Sequence, residues 1–273
     1  MIPRAFAYER PTSVADAAGL LRTHGEGARI LAGGHSLLPM MKLRLAAPDT
    51  LVDIGGISSL RGVSDAGSHL VIGALTTHAE VAASDLVRSA CPVLAQAAAG
   101  VGDMQVRNRG TIGGSLAQAD PHGDLPAVML ALGAEIVVQS ASGTRTIGAD
   151  ECFVDYYTTA LDEGELLTEI RIPGGQSKGA YAKFSRRAQD WAIIGAAVSK
   201  SAGGWRVGLC GAGPTAVRAG GVEAALASGA SAGEAAGHAS EGISPEAGLD
   251  GSTEYKRHLA CVMVRRALEA AGA

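Results

Sequence analysis

Two glycine-rich stretches, about eighty residues apart, constrain what this 273-residue chain can fold into. The first is Leu31-Ala32-Gly33-Gly34-His35-Ser36-Leu37, running into Leu38-Pro39-Met40-Met41. The second is Gly110-Thr111-Ile112-Gly113-Gly114-Ser115-Leu116, running into Ala117-Gln118-Ala119-Asp120-Pro121. Glycine takes positive φ and lets a ligand approach the main chain closely. Consecutive free N–H groups in such a turn form a nest for an anion, and a following helix N-terminus adds to the field. One nest suits one phosphate; two facing nests suit a diphosphate, as in a dinucleotide. A lone Gly-Gly-X-Ser is also an ordinary turn, so the weight rests on the near-duplication. Neither stretch is a P-loop, because no Gly-Lys-Ser/Thr follows, and neither has the G-x-G-x-x-G spacing. Nothing else recurs at this period, which excludes a solenoid.

Composition narrows the ligand. Glycine supplies 38 residues, about twice the usual ~7%, without the period of a collagen. Aromatic residues are 4% of the chain, too few for the stacking platforms that hold single-stranded nucleic acid. The net charge of −4 leaves no basic footprint for nucleic acid either. Cys91, Cys152, Cys210 and Cys261 are far apart, whereas iron–sulfur and zinc sites need clustered thiolates. No metal site is expected, and four reduced thiols fit a cytoplasmic chain. The N-terminus has no apolar signal core. The longest apolar run, Ala192 to Val198, is far short of the ~20 residues of a membrane span.

Taken in order, the chain alternates helical and strand patterns. Residues 12–24 read as a helix capped by Ser13 and stopped by Gly25, with Val14, Ala17, Ala18 and Leu21 on its apolar face. Arg29 to Leu31 is a strand, Leu37 to Leu45 a helix with Pro39 in its first turn, and Leu51 to Ile54 a second strand. This small parallel unit puts the first glycine turn at the carboxyl end of a strand, where ligands of α/β sheets sit. Gly55-Gly56 marks a joint. Hairpins follow around Ser64 to Gly67 and around Ser142-Gly143, with a helix through Ala83 capped by Thr76 or Thr77, a helix at Pro92 to Ala99, and a helix from Leu125 to Leu132 capped by Asp124. Leu166 to Ile172 is a strand, and the run from Pro173 to Gly179 is a boundary. Tyr181 to Arg186, Ile193 to Lys200 and Trp205 to Cys210 predict an antiparallel sheet. A final helix begins near Ser252 and ends with Arg265 and Arg266 at its negative terminus. The expected division is residues 1–56, 57–176 and 177–273.

These residues resemble a known family. The run from Leu31 to Arg44, the run Val101-Gly102-Asp103 with Gln105 to Ser115, and Ala119-Asp120-Pro121 with Asp124 are similar to the FAD-binding medium subunit of molybdenum hydroxylases. That group holds the carbon monoxide dehydrogenase flavoprotein and xanthine dehydrogenase FAD-subunit families. Phe184 to Arg187 and Asp190-Trp191-Ala192 continue the likeness, which covers essentially the whole chain. It implies an α+β fold: a two-subdomain FAD-binding fold of the PCMH type, then a C-terminal antiparallel sheet with helices. It implies FAD extended between the first two units, held by Leu31, Ala32, Gly33, Gly34, His35, Ser36 and Leu37, and by Thr111, Ile112, Gly113, Gly114 and Ser115. By the same resemblance Val101, Gly102, Asp120 and Asp124 lie along the cofactor, with Leu167 and Lys183 as weaker carry-overs. Trp191 either covers a flavin face or is a half-buried strand aromatic.

The resemblance also implies a division of labour. An external substrate is oxidised in a molybdopterin large subunit, and electrons cross an iron–sulfur small subunit. They reach FAD in this chain and leave to an external acceptor, within a heterotrimer that can itself dimerise. No catalytic residue of its own is expected. Two other classes stay open: a self-sufficient flavin-dependent oxidoreductase of the same fold, and a flavin-free assembly subunit. His35 is read as positional. His122 and Asp124 are either a catalytic pair or a turn with a helix cap. Arg107 and Arg109 either steer the diphosphate or are solvated, and Asp162, Glu163 and Glu165 read as an acidic surface turn.

Overall fold

The computed structural model describes residues 2–176 and 178–273. The chain opens with β1 (Ala7–Glu9), α1 (Val14–His24), β2 (Ala28–Leu31), α2 (Leu37–Lys42) and β3 (Thr50–Asp53). Helix α1 starts where Ser13 accepts a hydrogen bond from the Asp16 amide and stops at Gly25, whose φ is 51°. Its apolar stripe, Ala17, Ala18 and Leu21, is buried with Val52 and Ile54. The parallel unit is present, with Leu31 beside Asp53. Strand β1 joins the other edge of β3, also parallel. The sequence does not announce β1, because its three residues are all exposed and carry no alternation. Helix α2 stops at Lys42 rather than Leu45, where Arg44 turns to a φ of 60°.

The middle of the chain adds β4 (Val63–Asp65), β5 (His69–Gly73), α3 (His78–Ala83), α4 (Asp85–Ala90), α5 (Pro92–Ala99), α6 (Met104–Arg107), α7 (Ile112–Gln118) and α8 (Asp124–Leu132). It continues through β6 (Glu135–Ser140), β7 (Gly143–Gly148), α9 (Ala149–Cys152), β8 (Phe153–Asp155), β9 (Thr158–Thr159) and β10 (Leu166–Pro173). Both expected hairpins form, and β10 sits between them in an antiparallel sheet of order β4-β5-β10-β6-β7. Thr77, not Thr76, caps α3, and it does so with Glu80 in a reciprocal capping box. The helix-cap expectation for Asp124 is corrected: the N-cap of α8 is Gly123, and Asp124 is the first helical residue. All nine residues of α8 are buried, so this helix is a core element with no solvent face.

The last part holds β11 (Lys178–Phe184), β12 (Ile194–Ser201), β13 (Gly204–Cys210) and β14 (Val217–Arg218), then α10 (Gly220–Ala227), α11 (Ala232–Ala236) and α12 (Thr253–Ala271). The four strands are antiparallel in sequence order, as expected. Strand β12 is buried on both faces. Ala197 belongs to the core around α8, while Ala196 and Val198 pack with Leu259, Met263 and Val264 of α12. Gly208 of β13 lies on the backbone of Ala127, with no room for a Cβ, which seats α8 on the sheet. Helix α12 runs to Ala271 and is capped by Gly272. Arg265 and Arg266 therefore sit inside it and not at its terminus. Among the described residues no helix is long and apolar enough to cross a membrane, and no group of His, Cys, Asp and Glu is placed to hold a metal ion.

Candidate cofactor site

A cleft of about 1210 Å³ runs between the first glycine turn, α7, the start of α8 and the β8–β9 and β10 segments. This exceeds the ~300–1,000 Å³ of ordinary small-ligand pockets and suits an elongated molecule. The first turn leaves β2 at Ala32. Gly34 has a φ of 76°, and its carbonyl accepts the Leu38 amide at 3.1 Å. Among the described residues, no protein group accepts from the amides of Gly33, Gly34, His35, Ser36 or Leu37. Five consecutive unpaired donors beside a cleft are what the anion nest expected from the sequence requires.

The second stretch is built differently. Thr111 is the N-cap of α7, so Gly113 and Gly114 lie in a helical first turn and neither has positive φ. Its amides are engaged: Ile112 donates to the Thr76 carbonyl at 3.0 Å, Gly113 to the Ala74 carbonyl at 2.9 Å and Gly114 to the Thr111 hydroxyl at 3.2 Å. The expectation of two facing nests with free main-chain donors is thus met by one turn only. The second is strapped onto residues 74–78 and offers the cleft side chains and a helix end. Gly113 has no room for a Cβ against Ala74, whereas at Gly114 a Cβ would meet only the Thr111 hydroxyl.

His78, which the sequence does not single out, stands behind this turn. It is 2% exposed, and its amide donates to the Gly110 carbonyl at 3.0 Å. Nε2 is 3.3 Å from Ser115 Oγ, and Nδ1 has no partner among the described residues. Burial, reinforced by His35 and Arg107, lowers its pKa to about 4.

Where α8 meets β11, Asp124 is joined by two residues of that strand. Tyr181 donates its hydroxyl to Asp124 Oδ1, and Lys183 Nζ donates to Oδ2 at 3.0 Å and to the Gly100 carbonyl at 3.3 Å. Burial raises the Asp124 carboxyl above its ordinary range, with Lys183 and Tyr181 pulling it down. Burial also drives the Tyr181 phenol well above its usual value. His122 does not face Asp124; its Nδ1 bonds the Ala192 carbonyl at 2.8 Å, so the catalytic-pair reading fails. Trp191 lines the cleft at 58% exposure and precedes β12, which excludes a half-buried strand position.

Of the residues expected from the sequence, all but Leu31, Ile112 and Asp120 line the cleft. Ile112 is fully buried in the core. Asp120 accepts the His122 amide at 2.9 Å, and burial followed by the nearby Asp120 raises the Tyr157 phenol above its usual value. Tyr157 itself lines the cleft with a φ of 51°. Arg107 braces the approach to the site, bonding the Val101 and Gly102 carbonyls at 3.1 and 2.9 Å. Glu165 turns from the expected acidic surface to a two-point pair with Arg145. No local pattern marks His78, Tyr157 or Tyr181, because their partners lie far along the chain.

A large cleft beside a row of free amides suits an elongated anionic ligand, and comparison identifies the family. Residues 4–175 match the FAD binding domain in molybdopterin dehydrogenase, and residues 179–271 match the CO dehydrogenase flavoprotein C-terminal domain. The chain belongs to the family of FAD-binding medium subunits of molybdenum hydroxylases. It is an oxidoreductase subunit with FAD as its cofactor. It is similar to the carbon monoxide dehydrogenase medium chain of Hydrogenophaga pseudoflava, with 43% identity over 284 aligned positions covering 100% of this chain and 99% of that one. The nicotine 6-hydroxylase medium subunit of Paenarthrobacter nicotinovorans is 37% identical, with 98% of each chain covered. Among solved structures, carbon monoxide dehydrogenase from Hydrogenophaga pseudoflava superposes with a TM-score of 0.95 at 44% identity, covering 100% of this chain and 99% of that one. Quinoline 2-oxidoreductase from Pseudomonas putida 86 gives 0.93 at 33% identity, with 100% and 99% covered.

Proposed function

We propose that this chain carries electrons from an iron–sulfur small subunit to an external acceptor, with substrate oxidised in a molybdopterin large subunit of the same heterotrimer. The observation that carries the reading is the row of five unpaired amides, Gly33 to Leu37, beside a cleft large enough for a dinucleotide. FAD supplies the redox chemistry when bound, accepting electrons singly or in pairs. The residues of this chain bind and orient. The amides of the first turn take the diphosphate, with Ser36, Thr111, Gly114 and Ser115 around it. Asp124 and Lys183 present a fixed charge pair toward the ring system, with Val101, Gly102 and Leu167 beside it and Trp191 over a face. Leu31, Ile112 and Asp120 hold these residues from behind. The three units proposed for this work are residues 1–56, 57–176 and 177–273.

Related subunits serve enzymes named for carbon monoxide, nicotine, glyceraldehyde and caffeine. One scaffold beside such different substrates supports a substrate site on another subunit. The cysteines Cys91, Cys152, Cys210 and Cys261 are all free, which suits the cytoplasm. Stopped-flow reconstitution tests the proposal. Dithionite should bleach the flavin of the isolated chain, whereas organic substrate should do so only after small and large subunits are added. Substrate-driven bleaching of the chain alone would replace this reading with a self-sufficient flavoenzyme.

A further inference from the structure

The second glycine turn has spent its amides within the chain, so what it gives an anion must come from side chains. Ser115 lines the cleft, and among the described residues its hydroxyl has a single hydrogen-bonding neighbour, His78 Nε2 at 3.3 Å. The imidazole is held in place. Its ring lies on Gly110, where a Cβ would come within 2.9 Å of Cδ2 and 3.0 Å of Nε2. Its own amide is bonded to the Gly110 carbonyl. With a pKa near 4 the ring is neutral at working pH, and a neutral imidazole has one N–H.

Two tautomers are open to it. A proton on Nδ1 would leave a buried donor unpaired, since that nitrogen has no partner among the described residues. A proton on Nε2 finds the Ser115 oxygen and leaves only a bare acceptor at Nδ1. Orphaned buried N–H groups are the rarer defect, so the proton sits on Nε2. Ser115 Oγ then accepts from His78, and its own proton is left for whatever fills the cleft. We propose that His78 is a positioning residue: by donating Nε2–H to Ser115 it fixes the Ser115 hydroxyl as a donor to a phosphate oxygen of the bound dinucleotide. The inference rests on the reading that FAD occupies this cleft.

A double-mutant cycle on the apo chain, read by calorimetric FAD titration, tests it. Ser115→Ala and His78→Phe should each weaken FAD binding by about tenfold, the worth of a hydrogen bond to a charged group. The double variant should be no weaker than either single one. His78→Gln, which keeps a donor, should recover most of the loss. In parallel, ¹⁵N NMR of the histidine ring should report the Nε2–H tautomer in the apo and FAD-loaded protein. Additive losses without rescue by glutamine, or an Nδ1–H tautomer, overturn the proposal while leaving the cofactor reading intact. Failure of the folded wild-type chain to bind FAD at all overturns both.

Discussion

Gly33 and Gly110 meet through bare backbone: a Cβ on Gly33 would lie 2.8 Å from the Gly110 Cα and closer still to the Arg109 carbonyl oxygen. A Cβ on Gly110 would in turn meet the His78 ring. First turn, second turn and imidazole are thus stacked with no spare space, and the atoms that would have to yield are backbone. Gly33→Ala should therefore destabilise the chain by about 1–3 kcal/mol, the usual range for overpacking, and lower FAD affinity by moving the turns apart. Gly34→Ala tests a different cause. Its φ of 76° is strained for an L-residue by roughly 1–2 kcal/mol, while the facing atoms belong to the flexible Leu38 side chain. Urea unfolding and FAD titration of both variants check this. Wild-type values for Gly33→Ala would refute the stacking.

The pair of Asp124 and Lys183 should behave as a buried ion pair. Their side chains are 3% and 13% exposed. Lys183→Met leaves the carboxylate without its cation and should cost about 3–5 kcal/mol. Replacing both, as Asp124→Leu with Lys183→Met, should return much of that loss, because no charge is then stranded. Chemical denaturation of the three variants reads the difference. Equal losses in the single and double variants would mean that Lys183 matters for packing alone.

Acid should weaken the cofactor-free chain through His78. Its imidazole titrates near 6.5 when unfolded and at about 4 when folded. Between these values the unfolded chain binds the extra proton, so stability is fully present above pH 6.5 and is lost as pH falls toward 4. The shift predicts a loss of about 2 kcal/mol between pH 7.5 and pH 5. His78→Phe, which fills the same space without a titrating nitrogen, should flatten this part of the profile. Parallel slopes in variant and wild type would assign the acid sensitivity to other groups.

FAD should be held without a covalent bond, at about one per chain. No cysteine among the described residues lines the cleft, and its two histidines, His35 and His78, belong to the glycine turns. Acid precipitation should release all yellow colour into the supernatant, where chromatography should identify FAD. Colour kept by the pellet, or FMN in the supernatant, contradicts the assignment.

Much of this architecture is legible in the sequence alone. Ser13 announces its helix, Gly25 ends it, and the β6–β7 hairpin follows from alternation around Ser142-Gly143, whereas the choice between Thr76 and Thr77 as a cap falls to the structure. The first glycine turn is readable from its own residues, because its free donors belong to its own main chain. The errors have a common origin. Asp124 satisfies the local rule for a helix cap, yet its carboxylate is taken by Tyr181 and Lys183. Gly113-Gly114 looks like a second open turn, yet residues 74–76 claim two of its neighbouring donors.

By itself, then, the sequence determined what acts over a few residues: caps, strand alternation, the glycine turn and the motifs that mark the family. Tertiary structure decided what those groups face. Ser115 meets His78 across 37 residues, and Asp124 meets Tyr181 and Lys183 across 57 and 59. Propensity and periodicity carry no information over such separations, because they reflect the backbone's own three- to four-residue contacts. Only the packing of α7 and α8 against their neighbours sets which donors are used internally and which are left for the cofactor.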